Sequence, residues 1–155
     1  MSLQSWKNEF YPTLASQHRP ATTTTNPIPI ISHGLQKWIG LRQANLNKHS
    51  CQLDSNNVIY EHDFGLLPIN GKSCALCEAY ISRDVIDQDS NLECRKCPLA
   101  KSQGRCCDGY NDDGIDDRND GDDNDIPTPW ELWLQFNDPE PMIAALQKCL
   151  NEAQT

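Results

Sequence analysis

The chain has 155 residues, a formal net charge of −9 and 37% hydrophobic residues, with a mean hydropathy of −0.66. That size and polarity allow one small domain with solvated segments, and they exclude a large core that needs no staple. Nine Asp and one Arg in residues 108–125 carry −8 of the charge. The remainder is nearly neutral and lacks the basic surface that nonspecific nucleic-acid binding requires.

Residues 1–31 read as a flexible tail. Thr22 to Thr25 form a run, and Pro12, Pro20, Pro27 and Pro29 interrupt any periodicity. Trp6, Phe10 and Tyr11 are candidate anchors, and Pro27 to Ile31 is an apolar, extended candidate arm. Residues 33–48 predict a helix, with Ser32 as N-cap and Leu35, Trp38, Ile39 and Leu46 near helical spacing. Gly40 divides that helix into two shorter pieces. A strand is expected at Val58 to Tyr60, followed by a turn at Asn70-Gly71. Residues 79–86 alternate loosely, as a second strand would.

The C-terminal part predicts a helical hairpin. Thr128 is an N-cap with Pro129 at the first helical position, and Trp130, Trp133 and Leu134 share a face. Asp138-Pro139 repeats the start signal, and Ile143, Leu146 and Leu150 line the second helix, with a break near Asn137. Trp38, Trp130, Trp133, Leu134, Ile143 and Leu146 form the expected core. Cys51 and Cys149 read as core residues too, because a free cysteine packs as a small hydrophobe.

The cysteines carry the chemistry. Cys74-x2-Cys77 and Cys94-x2-Cys97 stand sixteen residues apart, which is zinc-ribbon spacing. Two residues between cysteines let one tight turn aim both sulfurs at one point. A hairpin of that length brings the second turn opposite the first. Four thiolates then close a tetrahedral shell around one structural zinc ion and leave no position open for chemistry. An iron–sulfur site is the rival, since Cys97-Pro98 resembles ferredoxin runs, but the third tightly spaced cysteine is missing. A redox pair belongs at a strand-to-helix junction, a setting that two ribbon-spaced pairs fit poorly. Cys106 and Cys107 are further ligand candidates, either of which can replace a member of the quartet. His62 lies in a polar run, and His33 and His49 belong to no paired motif.

Taken in order, CALCEAY at 74–80, CRKCPLA at 94–100, GRCC at 104–107, PWELW at 129–133 and DPEPMIAAL at 138–146 resemble a group of small cysteine-motif proteins encoded by tailed bacteriophages and prophages. The resemblance covers roughly residues 35–150 and rests on motif order. It implies a setting, a phage protein in the bacterial cytoplasm, rather than an activity. In that group the stretch between the last cysteine and the Pro-Trp is usually short, whereas here residues 108–126 interrupt it.

The acidic segment has three readings. The first is a solvated loop. The second is a loose calcium loop, since an EF-hand fails with Arg118 at a ligand position and Pro127 where the bidentate Glu belongs. The third is a mimic of a phosphate backbone that occupies the basic groove of a nucleic-acid enzyme.

The expected fold is small α+β: zinc-ribbon-like hairpins packed with an N-terminal helix and a C-terminal helical hairpin. Residues 32–150 form one zinc-stabilised domain with an acidic loop at 108–126, and 151–155 form a tail. The start of the chain lacks a basic segment followed by an apolar run, and no apolar stretch approaches membrane-spanning length. A cytoplasmic location follows, where reduced cysteines bind metal rather than pair. The expected function is a non-enzymatic module that binds a protein of the phage or its bacterial host, with no direct nucleic-acid contact and no membrane. The alternatives are an acidic inhibitor of a host nucleic-acid-binding or defence protein, and a metal-dependent enzyme with an open coordination position.

Overall fold

The computed structural model describes residues 2–18, 26–61, 64–80, 96–103 and 126–155. These form a small, mostly helical α+β domain with one three-stranded antiparallel sheet. No helix among them is long and apolar enough to cross a membrane.

The N-terminal segment corrects the expected flexible tail. Residues Leu3–Phe10 form helix α1, opened by a reciprocal cap: Ser2 Oγ accepts from the Ser5 N–H at 3.2 Å, and Ser5 Oγ accepts from the Ser2 N–H at 2.9 Å. Leu3, Trp6 and Phe10 fall on one face at helical spacing and are buried. The Trp6 indole N–H donates to the Gly40 carbonyl at 2.8 Å. Ala15–His18 add a 3-10 turn. The Thr run lies outside the described residues.

Helix α2 spans Ile28–Gly40 and starts earlier than expected. Ser32 is therefore internal, and the apolar arm at Pro27 to Ile31 is helical. The two prolines that read as breakers are starters. Pro27 occupies the cap, and Pro29 sits in the first turn, where its missing N–H has no helical partner to lose. The Asn26 side chain accepts from the Ile28 N–H at 3.0 Å. The break after Gly40 is as predicted, and α3 follows at Gln43–Lys48.

Strands β1 (Gln52–Leu53), β2 (Val58–Glu61) and β3 (Phe64–Pro68) pair in sequence order, with Ile59 opposite both Leu53 and Leu67. Only β2 was expected. The β1–β2 turn is held by Asp54, whose Oδ1 accepts from the N–H groups of Asn56 and Val58, and Asn57 takes a left-handed conformation at φ 58°. Ile59 and Leu67 face the core, while Leu66 is 71% exposed.

Helix α4 spans Ala75–Tyr80 and α5 spans Pro98–Gln103. Ala79 and Tyr80 are thus helical, not the start of a strand. Helices α6 (Pro129–Phe136) and α7 (Glu140–Ala153) form the predicted hairpin. Thr128 caps α6 reciprocally with Glu131, and Asn137 ends it in a left-handed conformation at φ 53°. Residues 151–153 continue α7 rather than fraying into a tail. Trp38 meets Trp133 and Trp130 edge-on, at ring separations of 5.0 and 6.1 Å. Leu134 corrects the predicted core: it is 50% exposed, because the face set by Trp130 and Trp133 turns it outward.

Candidate metal centre

Two short segments deliver the described cysteines of the quartet. Before α4, the 3-10 turn Gly71–Ser73 is fixed by Asn70. The Asn70 side chain accepts from the Lys72 N–H at 2.9 Å, while Ser73 Oγ accepts from the Asn70 N–H at 3.1 Å. This places Cys74 immediately before α4 and Cys77 within its first turn. The Cys77 thiol hydrogen-bonds to Cys74. That bond, the nearby Lys37 ammonium and the backbone N–H groups of Cys77 and Leu76 pull the Cys74 thiol down to about 6, against the opposing effect of burial. The hydrogen bond from Cys77 and the Lys37 charge thus favour the ionised form of Cys74.

Cys97 occupies the matching place before α5. Its sulfur accepts from the backbone N–H groups of Ala100 and Leu99, yet burial pushes its thiol up to about 12, with the charge of Cys74 adding to the effect. Cys149 on α7 faces the same interior, and burial pushes it up to about 11. A metal that took Cys97 as ligand would displace a proton that the folded protein otherwise holds firmly.

Cys74 and Cys77 are thus brought into contact, and Cys97 is brought to their neighbourhood. Among the described residues, no three of His, Cys, Asp and Glu gather into a group that can hold a metal ion. Cys94, Cys106 and Cys107 lie outside the described residues, as do His62 and the acidic segment 108–125. Cys51 and Cys149 are buried in the core, as their sequence context suggests. The donor chemistry of this pair suits a thiolate-preferring ion: two cysteines share a turn, and the ionised form of one is favoured by its neighbour and a nearby cation.

That cation is Lys37, which sequence reasoning missed. It lies on α2 at 2% exposure, donates to the Ser73 carbonyl at 2.9 Å and sits 5.4 Å from the centre of the Trp38 ring. Burial pulls its basicity down, and the Cys74 and Cys77 sulfurs restore part of it. A signal was present: Ile30, Gly34, Lys37 and Leu41 recur at spacings of four, three and four, so the lysine stands on the inward stripe of an apolar helix.

Two histidine arrangements tie the N-terminal segment down. His49 bridges Ser5 Oγ at 2.7 Å and Glu9 at 2.9 Å, with Lys48 also on Glu9 at 2.7 Å. His33 faces the Thr13 carbonyl through Nε2 at 2.8 Å and lies between the tilted rings of Tyr11 and His18, while its buried Nδ1 finds no partner among the described residues. Elsewhere, a groove of 620 Å³ runs between Leu41, Arg42, Leu53, Phe136 and Pro139, crossed by the Arg42–Glu140 ion pair at 2.6 Å. Phe136 on its rim is 63% exposed.

No family model, curated protein or solved structure matches this chain.

Proposed function

We propose that this protein is a zinc-stabilised, non-enzymatic interaction module in which Cys74, Cys77, Cys94 and Cys97 hold one structural ion. The supporting observation is the Cys74–Cys77 thiol pair, held in hydrogen-bond contact beside the buried ammonium of Lys37. A buried cation stabilises thiolates, and thiolates are the form that binds zinc. In this reading Cys94, outside the described residues, completes the shell with Cys74, Cys77 and Cys97. Cys106 or Cys107 is the reserve ligand. The ion then acts as a fold staple, and recognition belongs to the surface it supports. The exposed Leu134 and Phe136 of α6, beside the open groove, are the candidate contact residues.

The order of the cysteine and Pro-Trp motifs supports a setting in the cytoplasm of a phage-infected bacterium, with a phage or host protein as partner. Metal analysis of the purified protein, with Cys74→Ser as control, tests the centre. One zinc per chain, lost in the variant, is the expected result, and a metal-free wild type refutes it. Pull-down from the bacterial host tests the partner, with Phe136→Ser expected to weaken capture.

The concentration of charge in residues 108–125 supports a second reading, an acidic decoy that occupies a basic nucleic-acid groove. Deleting those residues separates the two: captured partners that persist unchanged argue against the decoy.

A further inference from the structure

Residues 11–18 follow α1, end in the 3-10 turn Ala15–His18, and pack on helix α4 and the turn before it. Of these residues only Tyr11 and Ala15 are buried. A cleft of 180 Å³ stays open between the segment and Leu67, Asn70 and Ser73. His33 of α2, itself 6% exposed, holds the segment through the Thr13 carbonyl. A carbonyl only accepts, so Nε2 carries the imidazole proton and Nδ1 is a bare lone pair. That Nδ1 is the buried atom without a partner among the described residues.

A second proton on His33 has no place in this arrangement. It would add an Nδ1–H donor and a positive charge where no acceptor waits. The titratable groups around the ring are Tyr11 and His18 on the segment, with ring centres 4.9 and 4.8 Å away, and Lys37 one turn further along α2. Cys74 and Glu78, from the α4 side, act on Tyr11. His33 joins no ion pair among the described residues. The Thr13 bond favours the charged ring, but burial outweighs it, and His18 and Lys37 add their repulsion.

We propose that residues 11–18 are an acid-released strap: protonation of His33 lifts the segment off α4 while α1, α2 and α7 stay packed. Hydrating the imidazolium needs only the strap to move, because the strap commits two buried side chains. Helix α2, by contrast, is held by the buried Ile31 and Trp38, and α1 by the buried Trp6. Opening uncovers α4 and the turn that carries Cys74. No bound ion is required.

Hydrogen exchange of the full chain tests this, with rates expressed as protection factors so that the intrinsic pH dependence of exchange cancels. The amides to follow are Ala15, which donates to the Tyr11 hydroxyl at 2.9 Å, and Gln17, which donates to the Leu14 carbonyl at 3.0 Å. Between about pH 8 and pH 5 their protection is expected to fall, by up to about tenfold per pH unit, while amides of α2 and α7 keep theirs. In His33→Gln, which cannot titrate, the fall should vanish. Where that variant does not fold, imidazole nitrogen shifts of the wild type report the His33 titration, and its midpoint should match that of the exchange. Protection that stays constant with pH, or a fall that persists in His33→Gln or runs at a different midpoint, overturns the strap. A fall shared equally by α2 and α7 overturns it too, because the opening is then global.

Discussion

Gly40→Ala sets two effects against each other. In a helix, alanine is favoured over glycine by about 1 kcal/mol, so propensity alone predicts stabilisation. Packing predicts the reverse. A β-carbon built at Gly40 lies 2.6 Å from Cβ and Cγ of Phe10 and 2.7 Å from Cζ2 of Trp6. Neither neighbour is a flexible tip: Trp6 is wholly buried, and its indole is tethered to the Gly40 carbonyl. Forcing a methyl into such a site costs about 1–3 kcal/mol. Gly40 is also the last residue of α2, where the propensity gain is smaller than in the interior. A net loss of about 1–2 kcal/mol follows, which for a domain of this size lowers the melting temperature by ~3–8 °C. Thermal and urea unfolding of both proteins measure it. Combined with Trp6→Leu, the alanine should cost less, since one of the two clashing rings is gone. A stabilised Gly40→Ala variant would mean that α1 does not pack across this residue, and the ordered N-terminal segment would fall with it.

Chelation followed by verified metal removal should abolish most helical circular dichroism, since structural zinc contributes on the order of 10 kcal/mol to folding; retained helicity refutes the staple. His33 predicts the behaviour in weak acid. Burial holds its imidazole below the ordinary value, so the folded protein favours the neutral ring and the unfolded chain takes up the proton first. The stability this contributes is complete above about pH 6.5 and declines as pH falls below it, by at most about 1.4 kcal/mol per pH unit. Urea midpoints between pH 5 and pH 8 should show that decline, and His33→Gln should flatten it. Thr128→Ala removes the reciprocal cap of α6 and should cost about 1–2 kcal/mol in urea unfolding; an unchanged midpoint would show that the cap is not made.

The helices were legible where side chains announced their ends. Thr128-Pro129 and Gly40 marked real boundaries because capping and backbone freedom are local properties. The N-terminal segment was misread for a physical reason. Its prolines start α2 rather than break it, and its three apolar residues gain their stability from a partner helix some thirty positions later. Strands β1 and β3 escaped notice because a two-residue strand has no periodicity, and FGLLP in β3 lacks the alternation that reveals a half-buried one. The spacing of Cys74 and Cys77 suggested a tight knuckle turn, whereas the pair sits at the start of helix α4. The lysine beside them was passed over although its place on the inward stripe of α2 was readable; what no local pattern records is its partner, the Ser73 carbonyl 36 positions away.

That long-range pairing links the cysteine turn to the aromatic core through one helix. Helix α2 presents Lys37 to the cysteine turn, Trp38 to the tryptophans of α6 and Gly40 to α1. Lys37 and Trp38 are consecutive, so a shift of α2 that relieves one strains the other. In the proposed zinc-bound state, loss of the ion would change the charge facing that buried ammonium, on the helix that also anchors the aromatic core. Metal release should therefore loosen the Trp38–Trp133 contact in the same transition that frees the cysteines. Tryptophan fluorescence and thiol reactivity followed together during chelation should change with one midpoint, whereas two separate midpoints would show that α2 does not couple them.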